Sequence, residues 1–155
     1  MTTKRSLDIR EVIFVNRQAK DAYLGLPENV RQAADARTDA IQNHERLPRN
    51  QRESLSGDLS GIDEIRIPDD GNAYRVYYLV EFKAAIYMLD AGMKKSPRGG
   101  EIPKQQVETL VERKKKAKEH YAKHKTDLEK RWRNGYPVER YGKQSESPAL
   151  LRSPR

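Results

Sequence analysis

Four cationic side chains are the residues of this sequence best suited to chemistry. Arg66 and Arg75 fall in two predicted neighbouring strands, and Lys94 and Lys95 follow a third strand and precede the pair Gly99–Gly100. Guanidinium groups held on a rigid sheet can each bind two oxygens of a phosphate, and a lysine on a flexible turn can reach a substrate and transfer a proton. The pattern is typical of a site that binds phosphate groups.

An ordinary structural role is the alternative for each of these cations. Either arginine could form a cross-strand ion pair, for instance with Glu64 or Glu81. The lysine pair could be a solvated basic turn, since adjacent lysines are common on protein surfaces. The residues alone leave both interpretations open.

Tyr77 shares a face with Arg75, because side chains two positions apart in a strand point the same way. Its phenol could relay a proton, and its ring could stack on an unpaired base. Core packing is the alternative, and we expect it for at least two of Tyr74, Tyr77, Tyr78 and Tyr87.

Metal chemistry has little support in the sequence. Cys is absent, and among the three His only His120 and His124 are spaced for one face of a helix. With no third ligand in view, we interpret this pair as part of a solvated helix face. We therefore expect neither a metal nor another cofactor.

The positive charge is unevenly distributed along the chain. The formal net charge is +8, but residues 1–93 carry −2 and residues 94–155 carry +10. Such an asymmetry favours a polyanionic partner, since cations that neutralise phosphates release condensed counterions. A solvated helix followed by a basic tail is the alternative.

Hydrophobic patterning predicts one small α+β domain over residues 1–133 and a basic, disordered tail over residues 134–155. The predicted order is β-α-α-β-β-β-α: a strand (11–15), a helical hairpin (17–25 and 27–43), a polar loop, three strands (62–67, 74–82, 85–90) and a long basic C-terminal helix reaching residue 133. We expect an antiparallel sheet with the helices gathered on one face. No apolar run is long enough to span a membrane and the start lacks a signal peptide, which indicates a cytoplasmic protein.

The stretch from about Val12 to Tyr121 resembles the RelE/ParE toxin superfamily, in its phage-derived HigB-like branch. The pieces that match are FVNRQAKDAYLGLPENVRQAA, LSGDLSGIDEIRI, NAYRVYYLV and AAIYMLDAGMKKSPRGGEIPKQQVETLVERKKKAKEHY. They supply the helical hairpin, a strand that ends in a Glu-hydrophobic-Arg motif, a Tyr-Arg strand, and a last strand with its double-Lys turn and basic helix.

The resemblance implies the toxin of a type II toxin–antitoxin pair, a metal-independent endoribonuclease that cuts messenger RNA on the ribosome. It implies a cognate antitoxin with a helix-turn-helix domain as partner. In such an enzyme the catalytic candidates are Arg66, Arg75, Lys94, Lys95 and Tyr77, and the candidates for RNA binding are Arg98, Lys104, Arg113, Lys114 and Lys116. The oligomeric state stays open.

Two departures from the family pattern keep other functions open. The chain has Leu89-Asp90-Ala91-Gly92-Met93 where the family often has Leu-His-Ala-Phe, and it has Ile102 in place of the usual Thr. One alternative is a ParE-like toxin that inhibits DNA gyrase without cutting RNA. The other is a phage-derived nucleic-acid-binding protein without catalysis, in which the basic C-terminal part binds and the sheet is a scaffold.

Overall fold

The computed structural model describes residues 9–94 and 101–142. The elements are β1 (Glu11–Phe14), α1 (Arg17–Leu24), α2 (Glu28–Gln42), β2 (Arg52–Ser54), β3 (Ile62–Asp69), β4 (Asn72–Leu79), β5 (Ala85–Met93) and α3 (Lys104–Asn134). This order confirms the predicted α+β class, the helical hairpin and the long C-terminal helix. The short strand β2 is an addition, since it lies in the segment predicted as a loop.

The five strands form one sheet in the order β1-β5-β4-β3-β2. Neighbours among β2 to β5 are antiparallel, whereas β1 pairs parallel to β5, with Glu11 opposite Ala85. The expectation of a wholly antiparallel sheet was therefore wrong at this edge. A connection through helices lets two strands run in the same direction side by side, which a tight hairpin does not allow.

Helices cover both faces of the sheet, not one face as predicted. Val76 and Tyr78 pack with α1 and α2, while Tyr77 and Leu79 pack with α3 and its buried Leu110. The reason is the alternation of side chains along β4. Apolar residues at successive positions make both faces apolar, so each face needs a covering layer.

The helix ends are set by local residues. The Asn16 side chain accepts a hydrogen bond from the backbone N–H of Ala19 at 2.8 Å and caps the start of α1. Gly135 follows α3 with a φ of 70°, a left-handed conformation that glycine adopts without strain. Among the described residues, we find no helix that combines the length and apolar character of a membrane span.

Residues 135–142 differ from the predicted disordered tail, because they pack against the helical hairpin. The Gln42 Nε2 donates to the backbone carbonyl of Glu139 at 2.8 Å. The ring of Tyr141 is buried and meets the ring of Tyr23 edge to face, with centroids 6.1 Å apart. This segment therefore belongs to the core, and the rest of the predicted tail lies outside the described residues.

We predict that Tyr141→Ala lowers the free energy of unfolding by about 3 kcal/mol, the usual cost of truncating a buried aromatic side chain. Tyr136→Ala is the matched control, since Tyr136 lies in the same segment but is 48% exposed. We expect that control to change stability by less than about 0.5 kcal/mol. Urea denaturation of both variants measures the difference, and equal effects would contradict the docked position of this segment.

Candidate functional site

Arg66 and Arg75 lie directly opposite each other in the register of β3 and β4. Both guanidinium groups bind the carboxylate of Glu64: the distance from Arg66 Nε to Glu64 Oε1 is 3.3 Å, and Arg75 Nη1 lies 2.9 Å from Glu64 Oε2. The structure thus places the two predicted arginines together, as the strand pattern required. It also contains Arg–Glu ion pairs, which the sequence analysis gave as the alternative to phosphate binding.

The carboxylate of Glu64 is the centre of this cluster. Glu64 is only 1% exposed, and its Oε2 accepts a third hydrogen bond from the Tyr77 phenol at 3.0 Å. A buried carboxylate is costly unless it is paired and hydrogen-bonded, and here each oxygen has a partner. The three donors therefore have well-defined positions relative to one another.

Tyr77 acts as a donor in this arrangement. Burial, followed by the negative charge of Glu64 and the hydrogen bond to it, raises the pKa of Tyr77 well above its usual value. The phenol consequently keeps its proton at neutral pH. It can orient Glu64 or a bound oxyanion, but it is poorly suited to accept a proton.

Arg66 joins Glu64 to a second carboxylate on the neighbouring strand. Glu53 of β2 lies opposite Glu64 in the register, and the Arg66 Nη2 forms an ion pair with it. Two carboxylates that face each other across strands repel, and a guanidinium shared between them offsets that repulsion. The Arg66 side chain is 36% exposed, so its outer edge is accessible to solvent.

Arg75 is less accessible and has unused hydrogen-bonding capacity. The residue is 8% exposed, and its buried Nε has no hydrogen-bond partner among the described residues. Arg75 lines a small cleft, together with Tyr77, Asp90, Ala91, Gly92, Met93, Lys94, Glu101, Ile102, Pro103 and Gln106. Gly92 faces Arg75 across the strands, and a side chain there would meet no atom of the described residues within 4 Å. Among those residues, nothing fills the space beside Arg75.

Lys94 lines the same cleft at the end of β5. Its backbone N–H donates to the carbonyl of Ala73 at 2.7 Å, which extends the pairing of β5 with β4 by one residue. The structure thus places Lys94 near Arg75, as predicted. Lys95 and Arg98 lie outside the described residues.

The predicted RNA-binding residues of α3 divide into two groups. Lys104 and Lys116 are exposed. Arg113 instead donates to the carbonyl of Leu89 at 2.8 Å, and Lys114 donates to the carbonyl of Ser60 at 2.7 Å. The last two contacts hold α3 on the sheet and on the loop before β3, so the first turn of the basic run stabilises the fold.

Asp90 is a cleft residue that the sequence analysis did not select. It lies opposite Tyr77 in the register of β4 and β5, and its Oδ2 accepts a hydrogen bond from Gln106 Nε2 at 2.8 Å. Arg113 Nη1 lies 3.4 Å from the other carboxylate oxygen. Simple alternation from Leu89, which packs against α3, would have turned Asp90 to the other face.

His120 and His124 lie apart from this cleft, near β1. The Nδ1 of His120 is 2.7 Å from the phenol oxygen of Tyr87, and the two imidazole rings have centroids 4.4 Å apart. Partial burial and the neighbouring His124 lower the pKa of His120. Across residues 9–94 and 101–142, we find no group of three side chains arranged to hold a metal ion.

Comparisons with known proteins give matches of different strength. No curated protein matches the chain closely enough to count as a relative. Among solved structures, the RelBE2 toxin–antitoxin complex of Mycobacterium tuberculosis is similar at a TM-score of 0.38 and 20% identity, over 55% of this chain and 98% of that chain. A similarity this low does not establish a shared function.

A family model gives the stronger result. The model described as phage-derived protein Gp49-like matches residues 21–126, more than half of the chain. The matched region contains the arginine pair, Lys94 and the part of α3 that borders the cleft. It confirms the resemblance to the phage-derived, HigB-like branch that the sequence motifs predicted. The chain therefore belongs to the phage-derived Gp49-like family of RelE-type toxins.

Proposed function

We propose that this protein is the toxin of a type II toxin–antitoxin pair, an endoribonuclease that cuts messenger RNA on the ribosome without a metal or cofactor. A helix-turn-helix antitoxin is its proposed partner. The observation that carries the proposal is the pair Arg66 and Arg75, which bind both oxygens of one carboxylate beside the cleft that Arg75 lines. Family membership supports the same function.

The arginine pair suits the charge that develops during RNA cleavage. When a 2′-oxygen attacks the neighbouring phosphorus, negative charge grows on the phosphoryl oxygens, and preorganised donors stabilise it. Glu64 marks where two guanidinium groups converge on a pair of oxygens. In the proposed complex the phosphate binds the outer edge of Arg66 and the part of Arg75 that lines the cleft, while Glu64 holds both side chains in place.

Lys94 and Tyr77 complete the proposed set within the described residues. Lys94 lines the cleft beside Arg75 and can donate a proton to the leaving 5′-oxygen. Tyr77 can orient the phosphate through a phenol that stays protonated. From the sequence, Lys95 remains a candidate for the same proton-donating role, and Arg98 remains a candidate for RNA binding.

The exposed cations of α3 fit a docking surface for ribosomal RNA. Its middle part carries exposed lysines, one of which, Lys118, also forms an ion pair with Glu81: Lys115, Lys116, Lys118, Lys123 and Lys125. Phosphate neutralisation by such a row adds affinity without reading sequence. An antitoxin that covers the cleft or this row would inhibit by occlusion.

One observation favours a second candidate function, the ParE-like inhibition of DNA gyrase. In the free protein both arginines of the pair are engaged by carboxylates, as they would be in a purely structural cluster. A protein in which they only stabilise the sheet would need another surface for toxicity. The nuclease and the gyrase inhibitor therefore predict different effects of replacing Arg66 on toxicity.

We predict that Arg66→Ala abolishes growth arrest and lowers messenger RNA cleavage by about 100-fold or more, the usual effect of removing one donor to a developing oxyanion. Arg66 is the suitable first variant, because its side chain is partly exposed and Arg75 and Tyr77 still bind Glu64 after its loss. Arg49→Ala, an exposed arginine just before β2, is the matched control and should behave as the wild type. Mapping of transcript ends after induced expression measures cleavage.

Growth arrest by the wild type with intact transcripts would contradict the nuclease. If a DNA damage response accompanied that arrest, gyrase inhibition would be the better explanation. Full toxicity of Arg66→Ala, with cut transcripts, would refute the role of the arginine pair and leave the nuclease activity standing.

We also predict that Arg75→Ala destabilises the fold by about 3 kcal/mol, because it removes a partner from a buried carboxylate. The double variant Arg75→Ala with Glu64→Gln should be more stable than the sum of the single effects predicts, by about 1 kcal/mol or more, since it removes both charges. Urea denaturation of the wild type, both single variants and the double variant measures this coupling. Additive effects would show that Glu64 and Arg75 do not depend on each other.

A further inference from the structure

Asp90 occupies the wall of the cleft that contains Arg75 and Tyr77. Its side chain is 20% exposed, so the carboxylate borders solvent while most of the side chain is covered. RNA cleavage without a metal needs a group that removes the proton of the attacking 2′-hydroxyl. The proposed arginines and Tyr77 act as donors to Glu64, and Lys94 is assigned to the leaving 5′-oxygen, so the attacking hydroxyl still needs a proton acceptor.

A β-bulge brings Asp90 to this position. Tyr77 pairs with Asp90, but the next residue, Tyr78, pairs with Met88, so Leu89 is an extra residue in β5. Leu89 and Asp90 consequently both face α3, although they are neighbours in sequence. Bulges of this kind re-aim side chains and are enriched next to active sites.

Helix α3 holds the Asp90 carboxylate in a defined orientation. Gln106 donates to its Oδ2 at 2.8 Å, and Arg113 lies 3.4 Å from its Oδ1. Arg113 also binds the carbonyl of Leu89 at 2.8 Å, which fixes the guanidinium beside the bulge. Rigid support from a helix is what a catalytic group needs in order to meet its substrate in one geometry.

The other possible proton acceptors of the region fit less well. Glu64 is 1% exposed, binds three donors and does not line the cleft. Tyr77 has a raised pKa and already donates its proton to Glu64. Glu101 lines the cleft but is exposed and precedes the first turn of α3. Asp90 is the carboxylate that combines access to the cleft with a fixed position.

We propose that Asp90 is the general base of the reaction, a role that rests on the proposed nuclease function. Its carboxylate takes the proton of the 2′-hydroxyl as the 2′-oxygen forms a bond to the adjacent phosphorus. The bond from that phosphorus to the 5′-oxygen breaks, and this oxygen takes a proton from Lys94 or from water. The products are a 2′,3′-cyclic phosphate and a 5′-hydroxyl, and Asp90 then releases its proton to solvent.

Single-turnover cleavage of messenger RNA on programmed ribosomes tests this role, with wild type, Asp90→Asn and Asp90→Glu compared. We expect Asp90→Asn to slow cleavage by about 100-fold or more and Asp90→Glu to recover at least about tenfold of that loss. Binding to the ribosome should stay within about twofold of the wild type, because general-base catalysis acts on the chemical step. Glu108→Gln is the matched control, because Glu108 is an exposed carboxylate on the outer face of α3. This variant should cleave as the wild type does.

Different results would overturn different parts of the account. Cleavage by Asp90→Asn at the wild-type rate would refute the general base while leaving the nuclease function intact. No cleavage by the wild type would refute the proposed function and this role with it. A messenger RNA with a 2′-deoxy nucleotide at the cut position gives a check that does not depend on any variant folding. Wild-type cleavage of that substrate at full rate would overturn the proposal, because no hydroxyl proton would then be removed.

Discussion

The buried carboxylate of Glu64 is the interaction on which the rest of this site depends. It sits under one face of the sheet and binds Arg66 from its own strand, then Arg75 and Tyr77 from the next. A charge removed from water to this extent is tolerated only with close partners, so the three donors cannot turn away without a large cost. The pairing thus holds two guanidinium groups side by side, which like charges would otherwise resist. Glu64 holds these donors in place and leaves part of their hydrogen-bonding capacity directed toward the cleft.

Helix α3 packs on the sheet and also shapes the cleft, and its amino-acid composition does not show which residues serve which role. Its inner face buries Leu110, Ala117, Tyr121 and Leu128 against the sheet. Gln106 and Arg113 on the same helix contact the Asp90 carboxylate. The helix that covers this face of the sheet therefore also shapes the wall of the cleft. The remaining exposed lysines contribute a positive surface. In the proposed function, bulk charge favours binding to RNA, whereas the chemistry rests on a few cations in a near-neutral cluster.

Strand alternation was sufficient to predict that Arg66 and Arg75 stand in neighbouring strands and that Tyr77 shares a face with Arg75. It could not predict the bulge at Leu89, which depends on how β5 pairs with β4, and so Asp90 was missed. Gly92 in the same strand is a weak signal of an irregularity, but a glycine does not show where the bulge lies.

The α3 prediction was incomplete for a different reason. Where eleven Lys and Arg residues crowd one helix, composition does not reveal which of them point inward, and Arg113 and Lys114 proved to contact the sheet side. The placement of α3 on the second face, and the packing of residues 135–142 on the hairpin, likewise depend on long-range contacts. The candidate site could thus be predicted from local patterns, whereas the contacts that hold its residues in place depend on tertiary structure.

The most direct measurement of the central claim is cleavage by purified protein in a defined translation system. Messenger RNA is incubated with the protein in the presence and absence of ribosomes, and the new ends are mapped and their chemistry identified. The account predicts cuts only when ribosomes are present, with a 2′,3′-cyclic phosphate on one fragment and a 5′-hydroxyl on the other. Full-length messenger RNA recovered from the ribosomes, with correctly folded protein present, would contradict it.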